Sequence, residues 1–200
     1  MPSRTVLARE LSALLKVMAH QDRVRIINRC TSYLPLFLAL SVSSPFWCGD
    51  WTGMYGYRLS GYDELPRTGM PPVLADEAAF GAYAAALQKA GLIFDPSFIW
   101  WAIRPSVKFP TVELRICDAA TNVRHAVAIA SLFRALVRRL CLDDDYGPAP
   151  SPFLRSIADE NRWQAQCHGT HAVMVDPRSL EPAPASAHVS NIQASKRIGR

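Results

Sequence analysis

The chain has 200 residues, half of them hydrophobic and a tenth aromatic, so it can form one ordinary domain with a sizeable core. Its formal net charge of +5 favours anionic partners such as nucleotides. The charge does not establish nucleic-acid binding, because the arginines are scattered and no compact basic run occurs; a solvated basic surface also explains it.

The front half of the chain combines helical patterns with one long loop. Residues 1–20 carry apolar side chains at helical spacing, which predicts an opening helix. Residues 23–30 predict a second helix capped by Asp22, and Pro35 should interrupt the helical pattern that follows. Residues 44–72 are rich in Gly, Pro, Tyr and Trp, and this composition predicts a long ordered loop.

A helix, two strands and a long helix are predicted next. Asp76 is a typical cap for a helix that ends at Gly91. Residues 97–106 and 111–117 read as two β-strands joined by a short turn that contains a proline. Residues 122–140 predict a long helix with an apolar stripe.

The last quarter of the chain begins with an acidic, proline-rich connector at residues 143–152. A helix over residues 153–166 and a short strand over 171–176 are expected after it. Residues 177–200 contain Ser, Ala, Pro and basic residues with few large apolar side chains, so we expect a disordered tail.

The cysteines indicate the cellular compartment. They are odd in number and widely spaced, with no C-x-x-C pair, which argues against a disulfide framework or a zinc site. We expect reduced core thiols in a cytoplasmic protein with no membrane segment, since the longest apolar stretch is too short to span a bilayer. The cysteines are Cys30, Cys48, Cys117, Cys141 and Cys167.

The second predicted strand separates apolar from charged side chains. Alternation places Val112, Leu114 and Ile116 on one face. It places Glu113 and Arg115 on the other face, about 7 Å apart along the strand. This pair suits a nucleotide–metal site, because a carboxylate binds Mg²⁺ and a guanidinium neutralises phosphate. An ordinary surface ion pair is the alternative.

Arg104 lies in the first predicted strand. If the two strands form a hairpin, Arg104 shares the polar face with Glu113 and Arg115. Two arginines and one carboxylate on one face are more typical of an anion-and-metal site than of a solvated edge.

The loop over residues 44–58 places aromatic residues between glycines. Asp50, Thr52 and Arg58 lie among them, so the loop could line a small polar ligand pocket. An Ω-loop packed on its own aromatic side chains is equally compatible with the composition.

Several short blocks together resemble the glutamate–cysteine ligase 2, or carboxylate–amine ligase, family. They occur in the family's order over roughly three quarters of the chain. The blocks are residues 23–28, 34–41, 43–46, 49–50, 52–53, 57–58, 66–69, 101–106, 110–118, 126–130 and 160–163.

The resemblance implies a glutamine-synthetase-like α+β fold in which helices pack on an antiparallel sheet. It implies an ATP- and Mg²⁺-dependent ligase that joins glutamate to cysteine through an acyl phosphate. Carried over by motif, Glu113 would bind the metal and Arg115 would face the transferred phosphoryl group. Arg104 would face the nucleotide phosphates or a substrate carboxylate, and Tyr57 and Arg58 would belong to the substrate-side loop.

Two further residues, Asn161 and Arg162, match a family motif to which no role could be assigned. The family's early Glu-x-Glu metal motif and its histidine-bearing strand have no counterpart here. We therefore expect a chain truncated on its N-terminal side, with a divergent helix at residues 1–20, a partial catalytic domain at 21–176 and the tail at 177–200.

This departure leaves two functions open. One is an ATP-dependent carboxylate–amine ligase whose activity in this chain alone is in doubt. The other is a non-catalytic remnant or an anion- or nucleotide-binding subunit. Sheet edges left unpaired by a missing front portion would favour pairing with another copy, so a homo-oligomer is compatible with either function.

Overall fold

The computed structural model describes residues 15–16 and 23–193. This part of the chain is α+β, as expected, with helices packed on small antiparallel sheets. The helices are α1 (Arg23–Cys30), α2 (Leu34–Ser41), α3 (Arg58–Tyr62), α4 (Glu77–Lys89), α5 (Val123–Leu142), α6 (Pro152–His168) and α7 (Ala185–Gln193). The strands are β1 (Leu15–Lys16), β2 (Phe46–Trp47), β3 (Asp50–Trp51), β4 (Ile103–Pro105), β5 (Thr111–Leu114), β6 (Val173–Val175) and β7 (Pro182–Pro184).

The largest sheet has the order β1-β5-β4, and both of its strand pairs are antiparallel. The predicted hairpin is confirmed, with shorter strands than expected, and Arg104 lies directly opposite Glu113. Backbone just before β4 is paired on its other side, because the amides of Trp100 and Ala102 donate to carbonyls in the loop at residues 67–69, at 2.9 and 2.8 Å. That loop covers this edge of the sheet.

Helix α2 forms the centre of the core. Its sequence is apolar around the whole circumference, so the helix can be stable only when it is surrounded. Pro35 lies in its first turn, where the missing amide hydrogen costs nothing. A short 3₁₀ turn at Thr31–Tyr33 separates α1 from α2, so the predicted interruption near Pro35 is confirmed. Phe37 meets Phe133 of α5 edge-to-face, with 5.3 Å between ring centroids.

The predicted cap at Asp76 is confirmed, whereas the predicted cap at Asp22 lies outside the described residues. The Asp76 carboxylate accepts a hydrogen bond from the amide of Ala79 at 2.8 Å, and the chain leaves α4 at Gly91 with a φ of +69°. The Asn122 side chain caps α5 in the same way at the amide of Arg124, at 2.8 Å. No helix in the described ranges combines the length and the apolar character that a membrane crossing requires.

The predicted opening helix over residues 1–20 is wrong at Leu15–Lys16. Leu15–Lys16 is a strand that pairs with Thr111 and Val112 of β5, because the edge of the hairpin offers free backbone groups to it. The other residues of the predicted helix lie outside the described part of the chain.

The predicted disordered tail is also wrong for residues 177–193. They form β7, which pairs with β6, and α7, which buries Ala185, His188 and Ile192. The segment is ordered by backbone pairing between β6 and β7 and by the burial of these three side chains, although its composition predicts disorder. Residues 194–200 lie outside the described ranges.

Two loop predictions need refinement. The loop at residues 44–72 contains the β2–β3 hairpin and α3. The connector at residues 143–152 is largely exposed, but Tyr146 within it is 3% exposed and stacks on Tyr33, with 6.0 Å between ring centroids.

None of the five cysteines is in a disulfide, but the expectation that they lie in the core is wrong for Cys48 and Cys141, which are exposed. Burial raises the pKa of Cys117 to about 12 and raises that of Cys30 further. The thiolate is the reactive form, so these two thiols should be inert.

We therefore expect maleimide at about pH 7.5 to label Cys48 and Cys141 rapidly and to spare Cys30 and Cys117 until denaturant is added. Peptide mass spectrometry after timed quenching gives the rate at each site. Labelling of Cys117 in the native chain as fast as that of Cys48 would contradict this arrangement.

Candidate functional site

The β4–β5 hairpin brings the three predicted charged residues together on one face. Arg104 Nε lies 2.8 Å from Glu113 Oε2, and Arg115 Nη1 lies 4.0 Å from the same oxygen. The alternation that places apolar side chains under the helices also places these charges on the opposite face. One carboxylate thus lies between two guanidinium groups.

Arg104 is mostly committed to the protein itself. It is 8% exposed, and besides Glu113 it donates from Nη1 to the carbonyls of Ser97 and Ile99, at 2.6 and 2.7 Å. These carbonyls belong to the turn that leads into β4. In this arrangement Arg104 fixes the position of Glu113, and its contact with a nucleotide or a substrate carboxylate stays a prediction.

Arg115 has more hydrogen-bonding capacity left. Its Nη2 donates to the hydroxyl of Tyr62 at 3.2 Å, and its side chain is 29% exposed. Its Nε is buried, and among the described residues it has no hydrogen-bond partner. A half-buried guanidinium with a donor unused is a suitable group for an incoming anion.

A metal ion does not fit the described residues alone. Across residues 15–16 and 23–193, no three His, Cys, Asp or Glu side chains are placed to hold one. Glu113 shares its Oε2 with Arg104, and two nearby guanidinium groups disfavour a further cation. One carboxylate in this setting is a poor Mg²⁺ site, because Mg²⁺ needs several oxygen ligands in near-octahedral geometry.

Arg58 lies on the neighbouring loop and connects it to the end of the hairpin. Its Nε donates to Asp118 Oδ1 at 2.8 Å, and its Nη2 donates to the carbonyls of Ile116 and Cys117, at 3.1 and 2.8 Å. These bonds hold the loop against the sheet. The ring of Tyr57 packs on Trp47 with 5.5 Å between ring centroids. That Tyr57 and Arg58 contact a substrate remains a prediction.

Asp118 is a residue whose importance the sequence pattern did not reveal. Its side chain is 1% exposed and accepts hydrogen bonds from Arg58, from the amide of Ser43 at 2.9 Å and from the hydroxyl of Ser44 at 2.7 Å. Its position two residues after Ile116 gave no signal of this role, because all its partners are far away in sequence.

Asn161 and Arg162 lie on α6, and each makes a specific contact with a distant part of the chain. The Asn161 side chain makes a reciprocal pair with the backbone of Val175, with both hydrogen bonds at 2.8 Å. Arg162 forms an ion pair with Asp63, which directly follows Tyr62. Arg162 therefore holds the end of α3, and with it the hydroxyl that receives the Arg115 hydrogen bond.

The amino-acid sequence is similar to a known protein family and to several named proteins. The sequence model of the family described as glutamate–cysteine ligase family 2 matches residues 2–198. A Bradyrhizobium sp. protein provisionally named glutamate–cysteine ligase 2 is 48% identical over 155 residues, which is 78% of this chain and 38% of that protein.

Two Pseudomonas proteins carry the same provisional name. The P. putida protein is 44% identical over 174 residues, 86% of this chain and 47% of its own length. The P. entomophila protein is 40% identical over 192 residues, 96% of this chain and 50% of its own length. This chain thus spans half or less of each of these relatives.

Proposed function

The chain belongs to glutamate–cysteine ligase family 2, and on that premise we propose that it supplies the anion-binding face of an ATP-dependent carboxylate–amine ligase. The names of its relatives support a glutamate–cysteine type of reaction. The substrates proposed are therefore a carboxylate such as that of glutamate and an amine such as that of cysteine.

The proposed reaction has two steps. A carboxylate oxygen attacks the γ-phosphorus of ATP, the bond to the β-phosphate oxygen breaks, and an acyl phosphate and ADP form. The amine nitrogen then attacks the acyl carbon, phosphate leaves with the electron pair of the C–O bond, and the nitrogen loses a proton. The first step brings two anions together and the second releases an anionic phosphate, so positive charge held in place is the main requirement.

The observation that carries this proposal is the setting of Arg115. Its guanidinium is half-buried, is held by Tyr62, and has a buried Nε without a partner in the described ranges. Glu113, fixed by Arg104, orients it from the other side at 4.0 Å. A cation that is held before the ligand arrives pays little further ordering cost when a phosphoryl group binds.

The alternative function is a non-catalytic remnant or an anion- or nucleotide-binding subunit. It is favoured by the single carboxylate that residues 15–16 and 23–193 place on this face and by the poor fit of these donors to Mg²⁺. We therefore propose that the chain by itself binds ATP and forms little or no amide.

We expect calorimetric titration with ATP to show binding that weakens as salt is added, because exposed charge interactions are screened. Arg115→Met should weaken this binding by about tenfold or more, the loss expected for a charge-assisted hydrogen bond to phosphate. The matched control is Arg124→Met, which removes the same charge from an exposed position on α5, and its effect should stay within about twofold.

Phosphate release with glutamate, cysteine and Mg-ATP separates the two functions. Background release together with Arg115-dependent ATP binding supports the binding role for the isolated chain. Turnover above background that is lost in Glu113→Gln would show that the chain is itself a working ligase. Equal ATP binding by the wild type and Arg115→Met would overturn the proposed site.

A further inference from the structure

The β2–β3 hairpin presents large aromatic side chains to solvent on both of its faces. Phe46 pairs across the strands with Trp51, and Trp47 pairs with Asp50, so the two pairs lie on opposite faces. Phe46, Trp47 and Trp51 are each more than half exposed, at 60%, 56% and 56%. Aromatic surface of this extent is more typical of a binding surface than of a solvated loop.

On the face of the hairpin that carries Trp47, the rings of Trp47 and Tyr57 lie next to each other at an angle. The rings of Trp47 and Tyr57 have centroids 5.5 Å apart and planes inclined at 52°. Trp47 lies directly on α3 at Gly61, where an added Cβ would be 3.5 Å from two atoms of its ring. That distance is ordinary van der Waals contact, so one edge of the Trp47 ring lies against α3 while more than half of the residue stays exposed.

Asp50 adds a carboxylate to the same face. It lies opposite Trp47 in the register of the hairpin, it is exposed, and no described residue makes an ion pair or a hydrogen bond with its side chain. The nearest arginine in sequence, Arg58, is turned to Asp118 instead. The faces of the two aromatic rings and the carboxylate of Asp50 attract a cation and repel an anion. A neutral apolar ligand would gain nothing from the carboxylate.

We propose that Trp47, Tyr57 and Asp50 bind the ammonium group of a small, amino-acid-sized amine. This inference rests on the proposed function, in which an amine must approach the activated carboxylate; the ammonium form binds here and must give one proton to solvent before its nitrogen can attack. The position fits that role, because Trp47 contacts Gly61 of α3 and the next residue of the same helix, Tyr62, receives the hydrogen bond from Arg115. The cation site and the anion site thus share one short helix.

The test uses the indole N–H signals of the five tryptophans in a ¹H–¹⁵N spectrum. Titration with tetramethylammonium chloride should shift the Trp47 signal in a saturable way. The exposed Trp163 on α6 reports nonspecific effects, and its signal should not move with the same curve. Sodium chloride at equal ionic strength and tert-butanol, a neutral molecule of similar shape, should leave the Trp47 signal in place.

Variants localise the site. Tyr57→Leu removes one ring of the site and keeps the Trp47 reporter, so it should abolish the saturable shift. Asp50→Asn, an exposed and nearly isosteric change, should weaken binding by about three- to fivefold. Trp51→Leu is the matched control, because it removes an indole of equal exposure from the opposite face of the hairpin and should bind like the wild type. Binding unaffected by Asp50→Asn, or lost equally in Trp51→Leu, would overturn the proposal.

The ammonium group could belong to a free amino acid or to a lysine side chain of a polypeptide. L-2-aminobutyrate should shift the Trp47 signal, and its N-acetyl derivative, which lacks the ammonium group, should not. A response to N-acetyl-lysine amide alone would overturn the small-amine proposal. None of these measurements needs ATP or turnover, so their failure is distinguishable from failure of the ATP titration.

Discussion

Replacing Arg29 with methionine should lower the free energy of unfolding by about 3–5 kcal/mol, because each buried acceptor left without its donor costs about 1–3 kcal/mol. Arg29 is only 9% exposed and donates to the carbonyl of Leu140 and, from Nη2, to those of Asp143, Asp144 and Tyr146, at 2.8, 3.0 and 2.8 Å. The last carbonyls of a helix have no partner within the helix. One guanidinium therefore closes the end of α5, and methionine would leave the buried carbonyls of Leu140 and Tyr146 without this donor, while the carbonyl of Asp143 keeps the amide of Tyr146.

Urea denaturation followed by circular dichroism measures the effect of Arg29→Met. The matched control is Arg25→Met on the same helix, because Arg25 contacts the same Asp144 at 2.7 Å with a side chain that is 42% exposed. Its cost should stay below about 1 kcal/mol. Similar losses in the two variants would show that Arg29 acts through its charge and not through the buried carbonyls.

The parts of the fold that the sequence predicted are those decided by neighbouring residues. The cap at Asp76 depends on a carboxylate and an amide three residues away. The β4–β5 hairpin depends on alternation and a short turn, and its register places Arg104 opposite Glu113 as expected. The face of three charges was therefore accessible from the sequence.

The partners of the arginines were not accessible in the same way. The scattered positive charge looked like a solvated basic surface, but Arg23, Arg29 and Arg104 are buried and bind backbone carbonyls. In Arg29 the carbonyls are more than a hundred residues away. No local pattern marks such a contact, because a backbone carbonyl is present at every residue.

The same limit explains the C-terminal segment. Its composition predicts disorder, yet the reciprocal pair between Asn161 and Val175 and the β6–β7 pairing order it against α6. Two arginines, Arg139 and Arg178, also stack on the ring of Tyr146, with their guanidinium carbons 4.0 and 4.5 Å from its centroid. These contacts form only when distant parts of the chain are brought together by the fold, so the composition of the segment cannot predict them.

Asp118→Ala should also lower the free energy of unfolding, by about 3–5 kcal/mol. The β2–β3 hairpin should open before the rest of the structure. The buried carboxylate accepts hydrogen bonds from Arg58, from the amide of Ser43 and from the hydroxyl of Ser44. Its removal leaves the Arg58 guanidinium partly buried without its counter-charge and the Ser43 amide without an acceptor. Asp118→Asn retains one acceptor oxygen and should cost less.

Denaturation gives the total effect of Asp118→Ala, and amide exchange shows where the structure opens. Faster exchange at Ser43 and Tyr57, whose amides lie beside the hairpin, should exceed any change in α5. Asp145→Ala removes an exposed carboxylate and serves as the control, with no resolved change in either measurement. A loss below about 1 kcal/mol in Asp118→Ala, or opening that begins in α5, would contradict the view that this one carboxylate joins the aromatic loop to the charged face.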